Sequence, residues 1–492
     1  DVGFLEELDV SSNSNLQTIE IEGATTSHFR KMHLNNNCQL KSLNLTRALS
    51  LDSATTFDIE LYGGGQLEDI TIVGGALDKL DLTRNKNLKN LILTELPNLH
   101  MIDVSCAGSK LQSLFVGHSA VHEVRMGLNT HVGALSLVNT KVSSAIDLSA
   151  CTRMTSLSYR NCNFSGSDGA DFGGASGHMP NTLVDLDVTN TGITNLRLNS
   201  TNLETVIAGE NETLVKVYLP HNNLGIIKNF DIHGANHPLK SAGFSGSDSI
   251  EMLNVQGCRI TSSIYWPTNS IQIMMNDNRF TSSAGGGRND VNFIGLGSLG
   301  HLEIERCNID RLQLTNVGGG VASRIKHVFA SENRLAAFPT AAVVYDGTTI
   351  VGPYLADIGA PFGPESFNTH LQSTEYLQVL DLSDQNAIVG GFTYLDLQKN
   401  RNLRVLNVSG NTGLKAIRFV SHSVLMTGNQ SPAIPGAAAT LTVDLTGCSA
   451  FAHFIVESAE SSESLHYMDV NGFITPDSVA GGWSIINAIG GL

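Results

Sequence analysis

The sequence predicts a mostly β fold, a parallel β-solenoid in which each two-strand coil takes about 22 residues. Residues 77–162 show the pattern best, because apolar-x-apolar triplets recur there at spacings of 10 to 12 residues. Another apolar residue usually precedes each triplet by three positions, and a small or amide side chain usually follows it by three. The eight triplets are Leu80–Leu82, Leu91–Leu93, Ile102–Val104, Leu114–Val116, Val124–Met126, Leu135–Leu137, Ile146–Leu148 and Leu157–Tyr159.

Each triplet has the two-residue period of a short strand, with its outer residues inward and its central residue outward. Eleven residues suffice for a strand and a corner, so two such steps complete one coil. Equivalent residues of successive coils should then stack, which places Leu80, Ile102 and Val124 in one column. A buried Asn, Thr or Cys at the corner can satisfy the backbone N–H and C=O groups that turn inward there.

The pattern continues over residues 1–474, which we interpret as one solenoid interrupted by Gly- or Pro-rich loop insertions. The insertions are expected near residues 163–182, 223–249, 279–298, 339–375 and 421–440. Phe164–Asp168 and Phe244–Asp248 have the same sequence, which indicates that a larger block was duplicated.

Residues 475–492 are predicted to form a short C-terminal capping helix. Thr475 is a suitable N-cap, and Pro476 and Asp477 suit the first turn of a helix. A helix at this position would cover the strand edge that the last coil of a solenoid leaves open.

Composition restricts the function. The net charge of −16, without a dense basic cluster, excludes nucleic acid as an expected partner. No apolar run of about 18 residues occurs, so no membrane insertion is predicted. Of the seven cysteines, five lie at the corner position (Cys151, Cys162, Cys258, Cys307 and Cys448). We interpret these five as buried small residues rather than disulfides.

Units such as Leu5–Asn13 and Leu403–Asn411, with the pattern Leu-x-x-Leu-x-Val-x-x-Asn, resemble the leucine-rich repeats of bacterial and bacteriophage proteins. The resemblance is to the short variety with half-repeats of about 11 residues, found in surface proteins of Bacteroidetes-type bacteria and in phage tail or fibre proteins. The segment Asn471–Ile489 is similar to the strand-to-helix ending of such arrays. The resemblance implies a binding or structural role, and it identifies no ligand.

Aspartate recurs at the outward centre of the triplets, as at Asp81, Asp103 and Asp147. A ladder of cation sites is one interpretation. We favour a solvated strand surface on which Asp accepts hydrogen bonds from nearby Ser and Thr, because hard cations need six or more converging oxygens. Asp185 and Asp187 alternate along one strand, and we expect only one of them to face any given groove.

No catalytic residue, metal site or cofactor is predicted. His301-Leu-Glu303 contains His-x-Glu, but the sequence near it offers no partnering Cys or His pair. Exposed aromatic side chains could contact a glycan, and the phase of the repeat makes Phe115, Tyr218, Tyr265 and Tyr467 the candidates. The loop insertions are the other expected contact surfaces.

We therefore expect a non-enzymatic structural or adhesive repeat protein of an extracellular surface, an appendage or a virus particle. It would act by association with protein partners or with copies of itself. One alternative is a surface adhesin or receptor-binding protein of the internalin type, which recognises a host protein or glycan and would present a contiguous apolar or aromatic patch. The other is a carbohydrate-active β-helix enzyme, which would bring two or three carboxylates together in a groove.

Overall fold

A computed structural model gives the architecture of the chain. The described residues are 4–23, 28–34, 39–49, 58–60, 66–105, 110–143, 146–164, 171–172, 179–198, 200, 202–219, 227–234, 241–243, 250–258, 260, 266–267, 269–280, 289–293, 296–314, 324–337, 343–345, 348–351, 366–386, 391–400, 402–420, 441–451, 453–457, 465–469 and 483–486. They belong to two compact units, residues 1–237 with 241–247, and residues 238–240 with 248–492. None of the helices in these ranges has the length and apolar character that crossing a bilayer requires.

The first unit is a parallel β-solenoid. Its strands are β1 (Glu7–Asp9), β2 (Thr18–Glu22), β3 (Lys31–His33), β4 (Ser42–Thr46), β5 (Asp58–Glu60), β6 (Asp69–Val73), β7 (Lys79–Asp81), β8 (Asn90–Thr94), β9 (Met101–Asp103), β10 (Ser113–Gly117), β11 (Glu123–Arg125), β12 (Ala134–Val138), β13 (Ser156–Ser158), β14 (Asp171–Phe172), β15 (Asp185–Asp187), β16 (Asn195–Arg197), β17 (Thr205–Ile207), β18 (Lys216–Tyr218), β19 (Ile227–Asp231) and β20 (Ser241–Gly243). One sheet, the first main sheet, has the order β2-β4-β6-β8-β10-β12-β13-β15-β17-β19. The other strands form the sheets β1-β3-β5, β7-β9-β11 and β14-β16-β18-β20.

The register confirms the predicted columns. Leu80 pairs with Ile102, and Ile102 pairs with Val124, each on a neighbouring parallel strand. All three are buried, and the residues on either side of each are more exposed, as the two-residue period requires. Stacked Leu, Ile and Val side chains therefore fill the interior of this unit, each resting on its counterpart one coil away.

The second unit repeats the arrangement. Its elements are β21 (Ile250–Asn254), β22 (Gln272–Met274), β23 (Asp290–Asn292), β24 (His301–Glu303), β25 (Arg311–Gln313), β26 (His327–Phe329), β27 (Val343–Tyr345), β28 (Thr348–Val351), α1 (Asn368–Leu371), β29 (Val379–Asp381), β30 (Tyr394–Asp396), β31 (Val405–Asn407), β32 (Ala416–Val420), β33 (Leu441–Asp444), β34 (His453–Glu457), β35 (Leu465–Asp469) and β36 (Trp483–Ile486). The second main sheet has the order β21-β22-β24-β26-β29-β31-β33-β36, and all its pairs are parallel. The sheets β23-β25 and β30-β32-β34-β35 accompany it, and β27 and β28 form an antiparallel pair.

Buried corner side chains link successive coils, as predicted. Asn211 donates from Nδ2 to the carbonyl oxygens of Val188 and Ala208, both at 2.8 Å. Its Oδ1 accepts the backbone amides of Thr191 and Gly192 at 2.8 and 2.9 Å. One amide thus satisfies backbone groups of its own coil and of the coil before it. Within the described ranges, such pairs of bonds to carbonyl oxygens are seen for Asn129, Asn211, Asn278, Asn333 and Asn411.

Cysteine takes the same role at other corners. Cys307 donates from Sγ to the carbonyl oxygen of Met275 at 3.0 Å, and Cys448 donates to that of Val408 at 3.1 Å. The five corner cysteines are buried thiols that form no disulfide, as predicted. Cys38 and Cys106 lie outside the described residues.

The structure also shows a second set of stacked corner residues, which the sequence did not predict. Many coils of the first unit turn through a non-glycine residue in the left-handed region, such as Glu95, His118 and Asn139 with φ of 57°, 48° and 52°. Asn139 Nδ2 lies 3.3 Å from the His118 ring nitrogens, so side chains of successive turns touch. This conformation is costly for residues other than Gly, Asn and Asp. The stacking of the coils, and not local preference, fixes it here.

Several of the predicted insertions contain strands, and the antiparallel pair of β27 and β28 within 339–375 stands apart from the parallel sheets. Strands lie inside four of the predicted insertions, namely β14 within 163–182, β19 and β20 within 223–249, β23 within 279–298, and β27 and β28 within 339–375. Phe230 and Ile232 are fully buried, so Phe230–Ile232 is an ordinary inward-facing triplet that the surrounding Gly, His and Asn residues concealed. Residues 421–440 lie outside the described residues.

The predicted capping helix is wrong for residues 483–486. These residues form β36, which pairs in parallel with β33, from Leu441 with Trp483 to Asp444 with Ile486. Gly481 and Gly482 weaken a helix, and the β-branched Ile485 and Ile486 favour a strand. The rest of the segment, 475–482 and 487–492, lies outside the described residues, and the boundary at 474 stays a prediction.

Candidate functional site

An apolar pair lies exposed on the first main sheet. Phe115 of β10 pairs in register with Ile92 of β8 on one side and with Ser136 of β12 on the other. Ile92 is 39% exposed and Phe115 is 38% exposed, although both belong to the middle of a long sheet. The Phe115 ring lies over Gly117, because a Cβ at position 117 would be only 3.1 Å from Cε1 of that ring. The missing side chain at Gly117 thus leaves room for the ring above that position.

The surroundings of this pair are uncharged. Strands β8, β10 and β12 have the sequences NLILT, SLFVG and ALSLV, without a charged residue. Thr94 pairs with Gly117 and Gly117 with Val138, so Thr94 and Val138 lie beside the Phe115 ring in the next column. We call Ile92, Thr94, Phe115, Ser136 and Val138 the Phe115 patch.

The charged residues of the first main sheet lie on its other strands or just beyond strand ends, and they are predominantly acidic. In the strands of the first main sheet, or within two residues of them, nine described residues are acidic and five are basic. The acids are Glu20, Glu22, Glu68, Asp69, Glu95, Asp185, Asp187, Glu204 and Asp231, and the bases are Lys41, Arg47, Lys89, Arg160 and Lys228. Ion pairs use several of the bases, with Lys89 Nζ 2.7 Å from Glu68 and Lys228 Nζ 2.8 Å from Glu204.

The other aromatic candidates lie apart from the Phe115 patch. Tyr218 belongs to β18, in a different sheet from Phe115, and is 37% exposed. The guanidinium carbon of Arg197 lies 4.0 Å from its ring centroid, so a cation–π contact covers one face of the ring. Tyr265 lies outside the described residues, and Tyr467 is described only as part of the backbone of β35.

The outward aspartates close turns. Asp81 Oδ1 accepts the Thr83 amide at 2.9 Å and the Thr83 hydroxyl at 2.7 Å, and these bonds lower the pKa of Asp81. Asp187, Asp381 and Asp444 accept the same pair of bonds from the Ser or Thr two residues later. This confirms the hydrogen-bonding role predicted for the repeated Asp.

The expectation for Asp185 and Asp187 is wrong in one respect. Both flank the buried Leu186, and residues two apart in a strand point to the same side, so both face outward together. Asp187 also accepts a hydrogen bond from Arg160 Nε at 3.0 Å, in addition to those from Thr189. Its carboxylate is therefore engaged in structural contacts.

The structure supplies a partner that the sequence did not show for His301. The Nε2 atom of His301 lies 2.8 Å from Glu303 Oε1, and its Nδ1 lies 3.4 Å from Nδ1 of His327 on the neighbouring strand β26. His327 follows His301 by 26 residues, outside the 22-residue phase, which is why spacing alone missed it. Within the described ranges, no group of three or more His, Cys, Asp or Glu side chains could hold a metal ion.

The buried thiols are poor nucleophiles. Burial raises the pKa of Cys151 and of Cys448 to about 11 and that of Cys307 to about 12. Because the thiolate is the reactive form, these cysteines act as structural residues.

Several solved structures are similar to this chain. The chain is similar in structure to YopM from Yersinia enterocolitica, at 16% identity with a TM-score of 0.43, over 81% of this chain and 74% of that one. It is also similar to the functional domain of InlJ from Listeria monocytogenes (13% identity, TM-score 0.34, 88% of this chain and 75% of that one). A third neighbour is a leucine-rich-repeat protein of Leptospira interrogans (14% identity, TM-score 0.32, 85% of this chain and 91% of that one).

No protein family and no curated protein matches the sequence. The third of these neighbours is described as a leucine-rich-repeat protein. The strand pairing of this chain makes it a mostly β, parallel solenoid.

Proposed function

We propose that the chain is a non-enzymatic scaffold that binds another protein through the first main sheet, with the Phe115 patch at the centre of the contact. The observation that carries the proposal is the exposed pair Ile92 and Phe115 within three uncharged strands. Aromatic residues surrounded by contacts that exclude water dominate the energy of protein interfaces. The flat, in-register strands around the ring supply such contacts.

The partner that fits is a different protein of positive net charge. The chain carries −16, and acids outnumber bases nine to five along the first main sheet. Two copies of such a surface would repel each other, whereas a basic protein would be attracted and steered to it. The same charge disfavours nucleic acid, so its exclusion as a partner stays a prediction.

The hydrogen bonds that the acidic residues accept support the non-enzymatic part of the proposal. The repeated outward Asp residues accept hydrogen bonds from Ser and Thr of their own turns, and Asp187 is further held by Arg160. A glycosidase needs carboxylates that remain available to the substrate. Glycan binding has weaker support than protein binding, because Tyr218, the other described aromatic candidate, already stacks on Arg197.

The proposed location is an extracellular surface, an appendage or a virus particle. Its support is the resemblance of units such as Leu5–Asn13 to repeats of surface and phage proteins. Immunogold labelling of intact source cells and of particles they release would place the protein. Labelling restricted to the cell interior would contradict this location.

The experiment that tests the binding proposal is selection of displayed peptides on the full-length chain. We expect enrichment of peptides in which Lys or Arg flank an apolar residue, because that composition complements the Phe115 patch and the acidic residues elsewhere on the first main sheet. Fluorescence anisotropy of a selected peptide would then give its affinity for each variant. Phe115→Ser should weaken binding by about tenfold or more, since it removes the apolar anchor.

Tyr218→Ser is the matched control, because Tyr218 is an aromatic residue of the same unit with nearly the same exposure on another sheet. It should leave the affinity unchanged. Peptides that bind both variants as well as the unaltered chain would contradict the proposed surface. A concentration-dependent dimer in sedimentation velocity that Phe115→Ser dissociates would show that the partner is a second copy.

A further inference from the structure

Two histidine rings face each other on the second main sheet. His301 of β24 and His327 of β26 are paired in register on adjacent parallel strands. Their ring centroids are 5.5 Å apart with an interplanar angle of 73°. The Nδ1 atoms of the two rings are 3.4 Å apart, and both residues are only partly buried. Two nitrogen atoms of the metal-ligating type therefore converge at a surface that solvent reaches.

The separation of the two nitrogens suits a shared metal ion. Two nitrogens that each lie about 2.1 Å from one tetrahedral ion are about 3.4 Å apart. The same 3.4 Å also allows an N–H···N hydrogen bond between the rings, and a bound ion would replace that bond.

The surroundings of His301 prepare its Nδ1 for this role. Glu303 Oε1 lies 2.8 Å from His301 Nε2. In the tautomer with the proton on Nε2, the ring donates to this carboxylate and presents an unprotonated Nδ1 towards His327. The other oxygen, Oε2, accepts a hydrogen bond from Asn276 Nδ2 at 3.2 Å, which holds the carboxylate in place. A carboxylate on the distal nitrogen is the usual companion of a metal-ligating histidine.

We propose that His301 and His327 bind one divalent transition-metal ion through their Nδ1 atoms, with Glu303 orienting His301 and water completing the coordination. The site needs two strands that are 26 residues apart in sequence and adjacent in the sheet. It is independent of the Phe115 patch, which belongs to the first unit.

Isothermal titration calorimetry of the full-length, tag-free chain with Ni²⁺, Zn²⁺ and Mg²⁺ tests this site. We expect one ion of Ni²⁺ or Zn²⁺ per chain with micromolar affinity, and no binding of Mg²⁺, which prefers oxygen ligands. His301→Ala and His327→Ala should each weaken this binding by about tenfold or more, because a single imidazole remains. Glu303→Gln should weaken it by about tenfold through the loss of the carboxylate on His301.

Controls separate this site from other histidines. His100 and His122 in the first unit also form a ring pair, with centroids 5.7 Å apart and Asp78 bonded to His100. His100→Ala should leave the affinity unchanged. Electron paramagnetic resonance of bound Cu²⁺ should show two nitrogen ligands in the unaltered chain and fewer in His327→Ala.

Two results would overturn the proposal. One is the absence of saturable binding of Ni²⁺ and Zn²⁺ by the unaltered chain. The other is undiminished binding in the His301→Ala/His327→Ala double variant. Circular dichroism should show that each variant keeps the β-sheet signal of the unaltered chain. If His301→Ala or His327→Ala unfolds, His327→Gln tests the same loss of an imidazole with a side chain of closer volume.

Discussion

Replacement of Asn211 by alanine tests how the coils are held together. Asn211 is fully buried, and its amide bonds two carbonyl oxygens and two backbone amides from two coils. Val188 O keeps one partner after the change, because the Thr191 hydroxyl also donates to it at 2.8 Å. The amides of Thr191 and Gly192 lose their acceptor.

The expected loss of unfolding free energy in Asn211→Ala follows from these two backbone amides. Each buried polar group left without a partner costs about 1–3 kcal/mol, so two amides cost about 3 kcal/mol after some access of water to the vacated space. Asn211→Cys should cost less than Asn211→Ala, because a thiol can donate to a carbonyl as Cys307 does to Met275 at 3.0 Å. Asn202→Ala is the matched control: Asn202 is exposed, and its amide makes one bond, to Asn181 O at 3.0 Å. Asn202→Ala should lower the free energy of unfolding by no more than about 0.5 kcal/mol.

Urea unfolding followed by circular dichroism measures the four proteins, and hydrogen exchange of the segment 188–192 locates the effect. We expect the unfolding midpoint to fall in the order unaltered chain, Asn202→Ala, Asn211→Cys, Asn211→Ala. Exchange at Thr191 and Gly192 should become faster only in the Asn211 variants. The reasoning is refuted if Asn211→Ala lowers the midpoint no more than Asn202→Ala does.

Three other predictions follow from the backbone and the thiols. Gly127→Ala should destabilise the chain by about 2 kcal/mol more than Gly234→Ala, as measured by thermal unfolding. Both glycines have positive φ, but a Cβ at position 127 would lie 2.7 Å from Ser105 Cβ, whereas a Cβ at position 234 would have its nearest neighbour 3.6 Å away. Equal losses would contradict this. The corner thiols should resist iodoacetamide at about pH 8 until the chain is denatured, because burial raises their pKa; rapid alkylation of the folded chain at Cys151 or Cys307 would argue against it. The stability of the folded chain should fall as the pH rises above 9. The pKa of Cys307 is about 12 in the folded chain and 9.0 for a free thiol, so this thiol stays protonated in the folded chain while it loses its proton in the unfolded chain. Urea midpoints at increasing pH measure the decline, and an unchanged decline in Cys307→Ala would show that this thiol is not its cause.

Much of the fold could be predicted because its physics is local and periodic. A residue such as Ile102 must be buried between Leu80 and Val124 once the strand period and the coil length are known. The corner amides follow from the same period, since a turning backbone needs partners. Single triplets such as Phe230–Ile232 lack that support from their neighbours in sequence, and composition around them misled the prediction.

The remaining features depend on contacts between coils. Glu95 and His118 adopt left-handed backbone conformations that their residue types do not favour, so only the stacked structure reveals them. The C-terminal strand β36 exists because β33 offers it an edge, which local helix signals at Thr475 could not show.

The sequence predicted only part of each candidate site, because the pairing between strands determines the other part. The phase of the repeat placed Phe115 at the surface, whereas its neighbour Ile92 became a candidate only through the register. His327 became a partner of His301 only because the chain between them does not keep the 22-residue phase.

The register of the first main sheet is the central claim, and a short cross-link tests it most directly. Ser136 and Ser158 are paired on adjacent strands, which puts their Cα atoms about 4.8 Å apart, whereas Arg160 lies about 8 Å from Ser136. Cysteines at 136 and 158 should be bridged by dibromobimane, giving fluorescence above that of the two single variants. Cysteines at 136 and 160 should give little. Bridging that is equal in both pairs, or stronger in the second, would contradict the stacking of the coils.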